Sequence, residues 1–143
     1  NTVYTNAALA TTNVSYTFST DGTYTWRVRA QNSTSVSAYS SALLIIDQTP
    51  PAVPVITSPA NNAIVSAPFT LSWSQATDNG SPIYDSLYIY ANAGQDTLIK
   101  ALRPATTTYT DSFGTGDYFW KLRAIDSVGN YSNYTSLYKF IIQ

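Results

Sequence analysis

The chain has 143 residues and a formal net charge of −1, with 44% hydrophobic and only 10% charged residues. That hydrophobic share permits a packed core and argues against disorder. The small net charge leaves no basic field for nucleic acid, and no apolar run approaches the roughly 18–20 residues that a membrane-spanning helix needs. Cys and His are absent and all eight acids are Asp, which excludes thiolate and imidazole metal sites, a Ser-His-Asp triad and a Cys nucleophile.

The first third of the chain is rich in β-branched and aromatic residues, which favour strands. It is followed by "DQTPPAVP" at 47–54, where three prolines fix φ and bias the residues before them to extended geometry. We therefore predict a short, stiff linker at 49–54. Before it, four candidate strands are expected at Thr2–Asn6, Asn13–Phe18, Tyr24–Ala30 and Ser41–Ile46.

Beyond the linker, short segments alternate apolar and polar residues with period two and are separated by turn residues. They read "FTLSWSQ" (69–75), "SLYIYA" (86–91), "DYFWKLRA" (117–124) and "SLYKFII" (136–142). Such alternation predicts strands with one buried face, and about seven of them indicate an all-β sandwich. The side chains expected in one buried cluster are Trp73, Leu87, Ile89, Tyr118, Trp120, Leu122 and Phe140.

The chain also contains an internal repeat. "GTYTWRVRA" at 22–30 matches "GDYFWKLRA" at 116–124, and a shift of 94 residues from Tyr24 to Leu43 pairs Trp26 with Trp120. A period near 95 residues is the length of one β-sandwich domain, and is too long for one solenoid repeat.

These motifs resemble those of fibronectin type III-like and immunoglobulin-like repeat domains of bacterial secreted and cell-surface proteins. That family has a Trp in its second strand, a Tyr-x-aromatic-x-aliphatic-x-Ala strand and an Asp-x-x-Gly-Asn loop after it. The matching residues are Trp73, then Tyr118, Trp120, Leu122 and Ala124, then Asp126, Gly129 and Asn130. The resemblance covers 53–143 fully and 1–48 only in part.

The resemblance implies one complete domain, with its strands in 55–143, preceded by the C-terminal half of a second copy in 1–48. Strands equivalent to the first three of the domain are missing from 1–48, so its inner face is expected to need a cover. Either upstream strands of the same protein or a neighbouring copy would complete it, the latter as in donor-strand assembly. The expected assembly face comprises Tyr24, Trp26, Val28, Leu44 and Ile46.

An aromatic and cationic stripe is expected on the outer face of the complete domain. Tyr88 and Tyr90 alternate outward on one strand, and Phe119, Lys121 and Arg123 alternate outward on its expected neighbour. The stripe is interpreted either as a platform for a carbohydrate or protein ligand or as cross-strand pairing in which Tyr rings cover the cationic side chains.

Two loops carry oxygen ligands of the kind that calcium prefers, with Asp78 and Asp126 as the candidates. Asx turns at Gly and Asn explain the same residues without an ion. N-glycosylation sequons occur at Asn13, Asn32, Asn79, Asn130 and Asn133.

No pair of Asp residues is placed by a motif as acid and base, so we expect no catalytic residues, no enzyme activity and no cofactor. The leading hypothesis is a structural or adhesive module of an extracellular tandem array, such as a stalk, adhesin or filament. The alternative is a carbohydrate- or protein-binding accessory domain of a secreted enzyme.

Overall fold

The computed structural model describes residues 8–143, and every regular element in that range is a β-strand. The chain divides into two units, Asn1–Ile46 and Asp47–Gln143. The first unit contains β1 (Gly22–Val28) and β2 (Ser40–Ile46). The second contains β3 (Val55–Ser58), β4 (Ala63–Val65), β5 (Phe69–Ser74), β6 (Ile83–Tyr90), β7 (Leu98–Leu102), β8 (Thr108–Asp111), β9 (Gly116–Asp126) and β10 (Tyr138–Ile142).

The second unit is a sandwich of two sheets. One has three strands in the order β3-β5-β8, and the other has five in the order β4-β10-β9-β6-β7. Neighbouring strands are antiparallel, apart from β4, which runs parallel to β10. This all-β architecture agrees with the prediction for 55–143, since strand alternation and frequent turns specify two half-buried sheets.

The core lies between the two sheets and matches the predicted cluster closely. Leu87, Ile89, Trp120, Leu122 and Phe140 have no exposed surface, and Trp73 is 3% exposed. Tyr118 is only half-buried, but its ring lies 5.5 Å from that of Phe140 and packs against the cluster. The period-two pattern therefore assigned the inner face of β5, β6, β9 and β10 correctly.

The predicted linker is built into the second unit. Pro51 and Pro54 are buried, and the Ala52 N–H donates to the carbonyl of Thr77 at 2.9 Å. The second unit begins at Asp47, ahead of the expected linker at 49–54. Proline rigidity is thus combined with hydrogen bonds that attach this segment to a loop of the sandwich.

In the described part of the first unit, β1 and β2 form a two-stranded antiparallel sheet in which Tyr24 pairs with Leu44 and Trp26 with Ala42. The expected strand at Asn13–Phe18 is wrong, because these residues form no ladder with any described strand. Alternation alone predicts a strand, but a strand also needs a partner for its backbone groups. The expected strand at Thr2–Asn6 lies outside the described residues.

The β1–β2 hairpin repeats the local geometry of β9–β10. Gly22 and Gly116 both have φ of 154°, a conformation that side chains beyond glycine rarely adopt. The Tyr24 hydroxyl donates to the carbonyl of Thr20 at 2.9 Å, and the Tyr118 hydroxyl donates over the same span to the carbonyl of Gly114 at 2.9 Å. Each strand therefore starts with the same tyrosine-closed turn.

The same correspondence continues beyond the strand. The Ala30 N–H donates to Ser37 Oγ at 2.9 Å, and the Ala124 N–H donates to Ser132 Oγ at 2.8 Å. In both hairpins the serine N–H also returns to the alanine carbonyl, at 2.9 and 3.0 Å. The repeat seen in the sequence is thus a repeat of hydrogen bonds as well.

The structure corrects the alignment of the repeat in its second strand. Tyr24 pairs with Leu44, whereas its counterpart Tyr118 pairs with Phe140, so Leu44 corresponds to Phe140 with a shift of 96 residues. The predicted constant shift of 94 as far as Leu43 is therefore wrong there. The second hairpin carries two more residues in its connection, where insertions disturb packing least.

Candidate functional site

The predicted aromatic and cationic residues lie together on the outer face of the five-stranded sheet. β6 and β9 are paired so that Tyr88 lies opposite Lys121 and Tyr90 opposite Phe119. Arg123 lies opposite Ser86, next along the same two strands. We call the set formed by Tyr88, Tyr90, Phe119, Lys121 and Arg123 the outer-face cluster.

The cluster is less exposed than strand alternation predicts. Tyr90 is only 8% exposed, so its expected outward exposure is wrong, and the other four members are half-buried. The cover comes from the segment between β9 and β10, where the Tyr134 ring lies 5.5 Å from the Tyr88 ring, edge to face. Strand periodicity cannot reveal a cover that arrives from a loop.

Cation–π contacts hold this cover in place. Lys121 Nζ lies 4.0 Å from the ring centre of Tyr134, and the Arg123 guanidinium lies 4.1 Å from that of Tyr131. Burial raises the pKa of Tyr90 and of Tyr134, so both hydroxyls stay neutral at physiological pH. The cross-strand pairing of the second interpretation is also present, with Lys121 Nζ 5.5 Å from the ring centre of Tyr90 and the Arg123 guanidinium 5.8 Å from that of Tyr88. Together these contacts use ring surface that a ligand would need.

Part of the face remains accessible. Tyr84, Tyr131 and Tyr134 are 53%, 46% and 41% exposed. Exposed tyrosines can stack on sugars and donate hydrogen bonds, so the accessible edge of this face lies at Tyr84, Tyr131 and Tyr134 and not along the predicted stripe.

In the first unit, too, a tyrosine ring packs over cationic side chains. The Arg27 and Arg29 guanidinium groups lie 4.2 and 5.0 Å from the ring centre of Tyr39. Tyr39 corresponds to Tyr134 when Ser37 is aligned with Ser132. Sequence reasoning compared only the strands and missed both tyrosines, although their position in the repeat was a usable signal.

The two calcium candidates lie close together at one end of the second unit, and a third acid joins them. Asp47, Asp78 and Asp126 place carboxylate oxygens within 4.8 Å of one another. Ser81 Oγ donates to Asp47 Oδ2 at 2.8 Å and to Asp78 Oδ2 at 3.4 Å. Oxygen ligands of this kind suit calcium, and calcium binding here stays a prediction.

Asp126 also organises the loop after β9. Its Oδ1 accepts hydrogen bonds from the N–H groups of Val128, Gly129 and Asn130 at 2.7–2.9 Å. Burial raises the pKa of Asp126, but these hydrogen bonds outweigh burial, so its pKa lies below the ordinary value. This is the Asx-type explanation that needs no ion.

The sequon asparagines differ in their availability. Asn13, Asn32, Asn79 and Asn133 are exposed. Asn130 is half-buried, and its Nδ2, the atom that would carry a glycan, donates to the Asp47 carbonyl at 3.0 Å and to Asp126 Oδ2 at 2.7 Å. A glycan on Nδ2 would leave it one N–H and would remove at least one of these two hydrogen bonds, so the exposed four are the better acceptors.

The expected assembly face lies on one side of the β1–β2 hairpin. Trp26, Val28 and Leu44 are 53%, 46% and 40% exposed, while Tyr24 and Ile46 are half-buried. Trp120, the counterpart of Trp26, has no exposed surface. The two repeats therefore differ strongly in how far the same indole is covered.

Two polar links between the sheets were not predicted. Trp73 Nε1–H on β5 donates to Asp85 Oδ2 on β6 at 2.9 Å. Burial raises the pKa of Asp85, and the hydrogen bonds from Trp73 and the Ala76 backbone offset only part of that rise. An acid at an inward position of a strand was the available signal, because a buried carboxylate needs a partner.

The second link joins β7 to β8. Lys100 Nζ lies 2.5 Å from Asp111 Oδ2, and the Tyr109 hydroxyl also contacts Asp111. Hydrogen bonds from Lys100 and Tyr109 lower the pKa of Asp111 to about 2, and those to Asp111 and Tyr109 raise the pKa of Lys100 above its ordinary value. Both groups are therefore charged at neutral pH, and their ion pair links β7 and β8, the edge strands of the two sheets.

The sheet order and the core define a fibronectin type III-like β-sandwich. The chain resembles the crystal structure of domains d3–d4 of the rat CD45 extracellular region, with a TM-score of 0.53 and 9% identity over 99% of this chain and 76% of that one. At this identity the similarity concerns the fold alone.

Two other similar structures give lower TM-scores. The fibronectin(III)-like modules of Clostridium thermocellum CbhA give a TM-score of 0.48 and 16% identity over 63% of this chain and 96% of theirs. A β-1,2-glucanase from Parabacteroides distasonis gives 0.47 and 18% over 73% of this chain and 16% of its own. No protein-family model and no curated protein sequence matches the chain. Within residues 8–143, no helix is long and apolar enough to cross a membrane.

Proposed function

We propose that the chain is a non-catalytic structural or adhesive module, part of an extracellular tandem array of β-sandwiches that forms a stalk, an adhesin or a filament. The observation that carries the proposal is the hairpin repeat, in which tyrosine-closed turns and Ala–Ser hydrogen bonds recur. Repetition of one module with the same local bonds is typical of arrays whose units act as spacers.

The chemistry of the chain supports the same proposal. The strongly buried acids are used structurally: Asp85 binds the Trp73 indole, and Asp126 caps a loop. The sequence lacks His, Cys and Glu, the residues that most often act as bases and nucleophiles. Its low charge and its abundance of Ser, Thr and Tyr suit the surface of a secreted β-protein.

Single-molecule force spectroscopy of the full chain tests the structural role. A load-bearing spacer should unfold in one cooperative event. The contour-length gain should equal the roughly 320–350 Å of the extended segment Asp47–Gln143, at ~3.3–3.6 Å per residue, less the length of the folded unit. Trp73→Ala should lower the unfolding force without changing that gain. Gradual extension with no event under load would contradict a structural role.

The alternative function, binding of carbohydrate or protein as an accessory domain, is favoured by one feature. Tyr84, Tyr131 and Tyr134 expose ring surface beside Arg123 on the outer face. Affinity electrophoresis in a panel of polysaccharides should then retard the chain, and the double variant Tyr131→Ala/Tyr134→Ala should run freely. Val55→Ala, at an exposed position of the other sheet, is the matched control and should still be retarded.

A further inference from the structure

The β1–β2 hairpin presents an apolar face whose central residues are accessible. We call the set Tyr24, Trp26, Val28, Ala42, Leu44 and Ile46 the hairpin face; cross-strand pairing places Trp26 beside Ala42 and Val28 beside Ser40. Trp26 is 53% and Leu44 40% exposed. Large accessible apolar side chains grouped on one strand face are unusual unless another polypeptide covers them.

The second unit indicates what such a cover consists of, because β9–β10 is the covered version of the same hairpin. There β6 runs along β9, with Ile89 opposite Trp120 and Leu87 opposite Leu122. β5 lies in the opposite sheet, and its Phe69 ring is 4.8 Å from the Phe140 ring. Trp120 and Phe140 lose all their exposed surface in this setting.

The hairpin keeps the features that this cover recognises. Trp26 stands at the position of Trp120, and Leu44 at that of Phe140, in the same cross-strand register. Within the described residues, β1 pairs with β2 on one edge and with no strand on the other, whereas β9 pairs on both edges. A free strand edge beside an apolar face invites the addition of a strand.

We propose that the hairpin face docks a polypeptide segment with the strand pattern of β5 and β6, one apolar strand packing across the face and the other extending the sheet along the edge of β1 that pairs with no described strand. The hairpin then completes a second sandwich of the type formed by Asp47–Gln143. This rests on the proposed module function only in treating the hairpin as a second copy of β9–β10. The force experiment measures Asp47–Gln143, so the proposed function and the docking proposal can fail separately.

A peptide copy of residues 68–91, which spans β5 and β6, serves as the probe for the full 143-residue chain. The chain is labelled with 5-fluorotryptophan, which gives one ¹⁹F resonance for each of its three Trp residues. Trp26→Phe assigns the resonance of Trp26. Added peptide should shift that resonance and reduce its H₂O/D₂O isotope shift several-fold, because Trp26 would become covered as Trp120 is.

Two matched variants on the same strand separate the face from the rest of the hairpin. Trp26→Lys places a charge on the hairpin face and should abolish peptide binding, measured by calorimetry. Thr25→Lys places the same charge on the opposite face, since neighbouring side chains of a strand alternate, and should bind as the wild type does. The Trp73 and Trp120 resonances report that the second unit stays folded in every variant.

Three results would overturn the proposal. The peptide could leave the Trp26 resonance unchanged, a scrambled peptide of the same composition could protect Trp26 equally, or Trp26→Lys could bind as well as Thr25→Lys. Sedimentation of the chain without peptide adds a fourth: a dimer that loses stability in Trp26→Lys would identify a second copy as the occupant and would overturn the assignment to a β5–β6 segment.

Discussion

Replacing Trp73 should separate packing from hydrogen bonding in the core. Its indole is 3% exposed, and its N–H donates to Asp85 Oδ2 at 2.9 Å. Asp85 is itself 5% exposed, and within residues 8–143 its Oδ1 has no hydrogen-bond partner. Trp73→Ala removes both the ring and the donor, while Trp73→Phe keeps an aromatic ring and removes the donor.

We expect Trp73→Ala to lower the free energy of unfolding by about 3–5 kcal/mol, as large-to-small aromatic changes in cores do. A hydrogen bond to a charged group contributes about 1.5–3 kcal/mol, so Trp73→Phe should cost at least that much with a further loss from the smaller ring. Asp85→Asn keeps an acceptor for the indole N–H and removes the buried charge, so it should be well tolerated at neutral pH.

The pH dependence of the free energy of unfolding shows whether ionisation of Asp85 stabilises or destabilises the fold. Its folded pKa is raised above the ordinary 3.8, so the folded protein binds an extra proton in the interval between the two values. That contribution to stability is present below pH 3.8 and is lost as the pH rises through the folded pKa. Trp73→Phe should raise this pKa further, and Asp85→Asn should remove the Asp85 contribution to the pH dependence.

Urea denaturation followed by fluorescence measures these differences, since Trp120 is fully buried in the same unit. The four proteins of a Trp73→Phe and Asp85→Ala cycle, in which each single variant removes the hydrogen bond, should show a coupling of about 0.5–3 kcal/mol. A loss below about 1 kcal/mol for Trp73→Ala, or additive effects in the cycle, would refute the core assignment of Trp73 or the role of its hydrogen bond.

Two further predictions concern other parts of the second unit. A Cβ at Gly80 would clash with the Asp47 carboxylate, which would have to turn away and lose its hydrogen bond from Ser81 Oγ. Gly80→Ala should therefore lower the melting temperature slightly, whereas Gly114→Ala, with no described atom within 4 Å, should not; equal melting temperatures would show that the Asp47–Ser81 bond adds nothing to stability. Lys100→Met should return the pKa of Asp111 from about 2 toward its ordinary value in a ¹³C carboxyl titration. The stabilisation from Asp111 is present above pH 3.8 and is lost as the pH falls through about 2, and an unchanged pKa in the variant would rule out the ion pair as its cause.

The sequence was sufficient for the fold of the second unit because its strands report their buried face locally. Leu87 and Ile89 on β6, and Trp120 and Leu122 on β9, alternate with polar or amphipathic residues and are all fully buried. This pattern depends only on the pleat of a strand and on one sheet covering another. No knowledge of the rest of the chain is needed to interpret it.

Features built by loops and other irregular segments could not be predicted in that way. The cover over the outer-face cluster comes from Tyr131 and Tyr134, which follow β9 in an irregular segment. Asp47 joins Asp78 and Asp126 only because the segment before β3 and two loops meet at one end of the sandwich. Period-two patterns carry no information about where loops lie.

The local bonds of the hairpin also determine how readily its face can be covered. An isolated two-stranded sheet is marginally stable in water, yet this one is closed by the Tyr24–Thr20 and Ala30–Ser37 hydrogen bonds and by the Arg27–Tyr39 contact. None of these uses the exposed ring of Trp26. Bonds that order a binding surface in advance reduce the conformational entropy lost when a partner docks. The docking proposed for the hairpin face would therefore cost less conformational entropy on a hairpin that these hydrogen bonds already order.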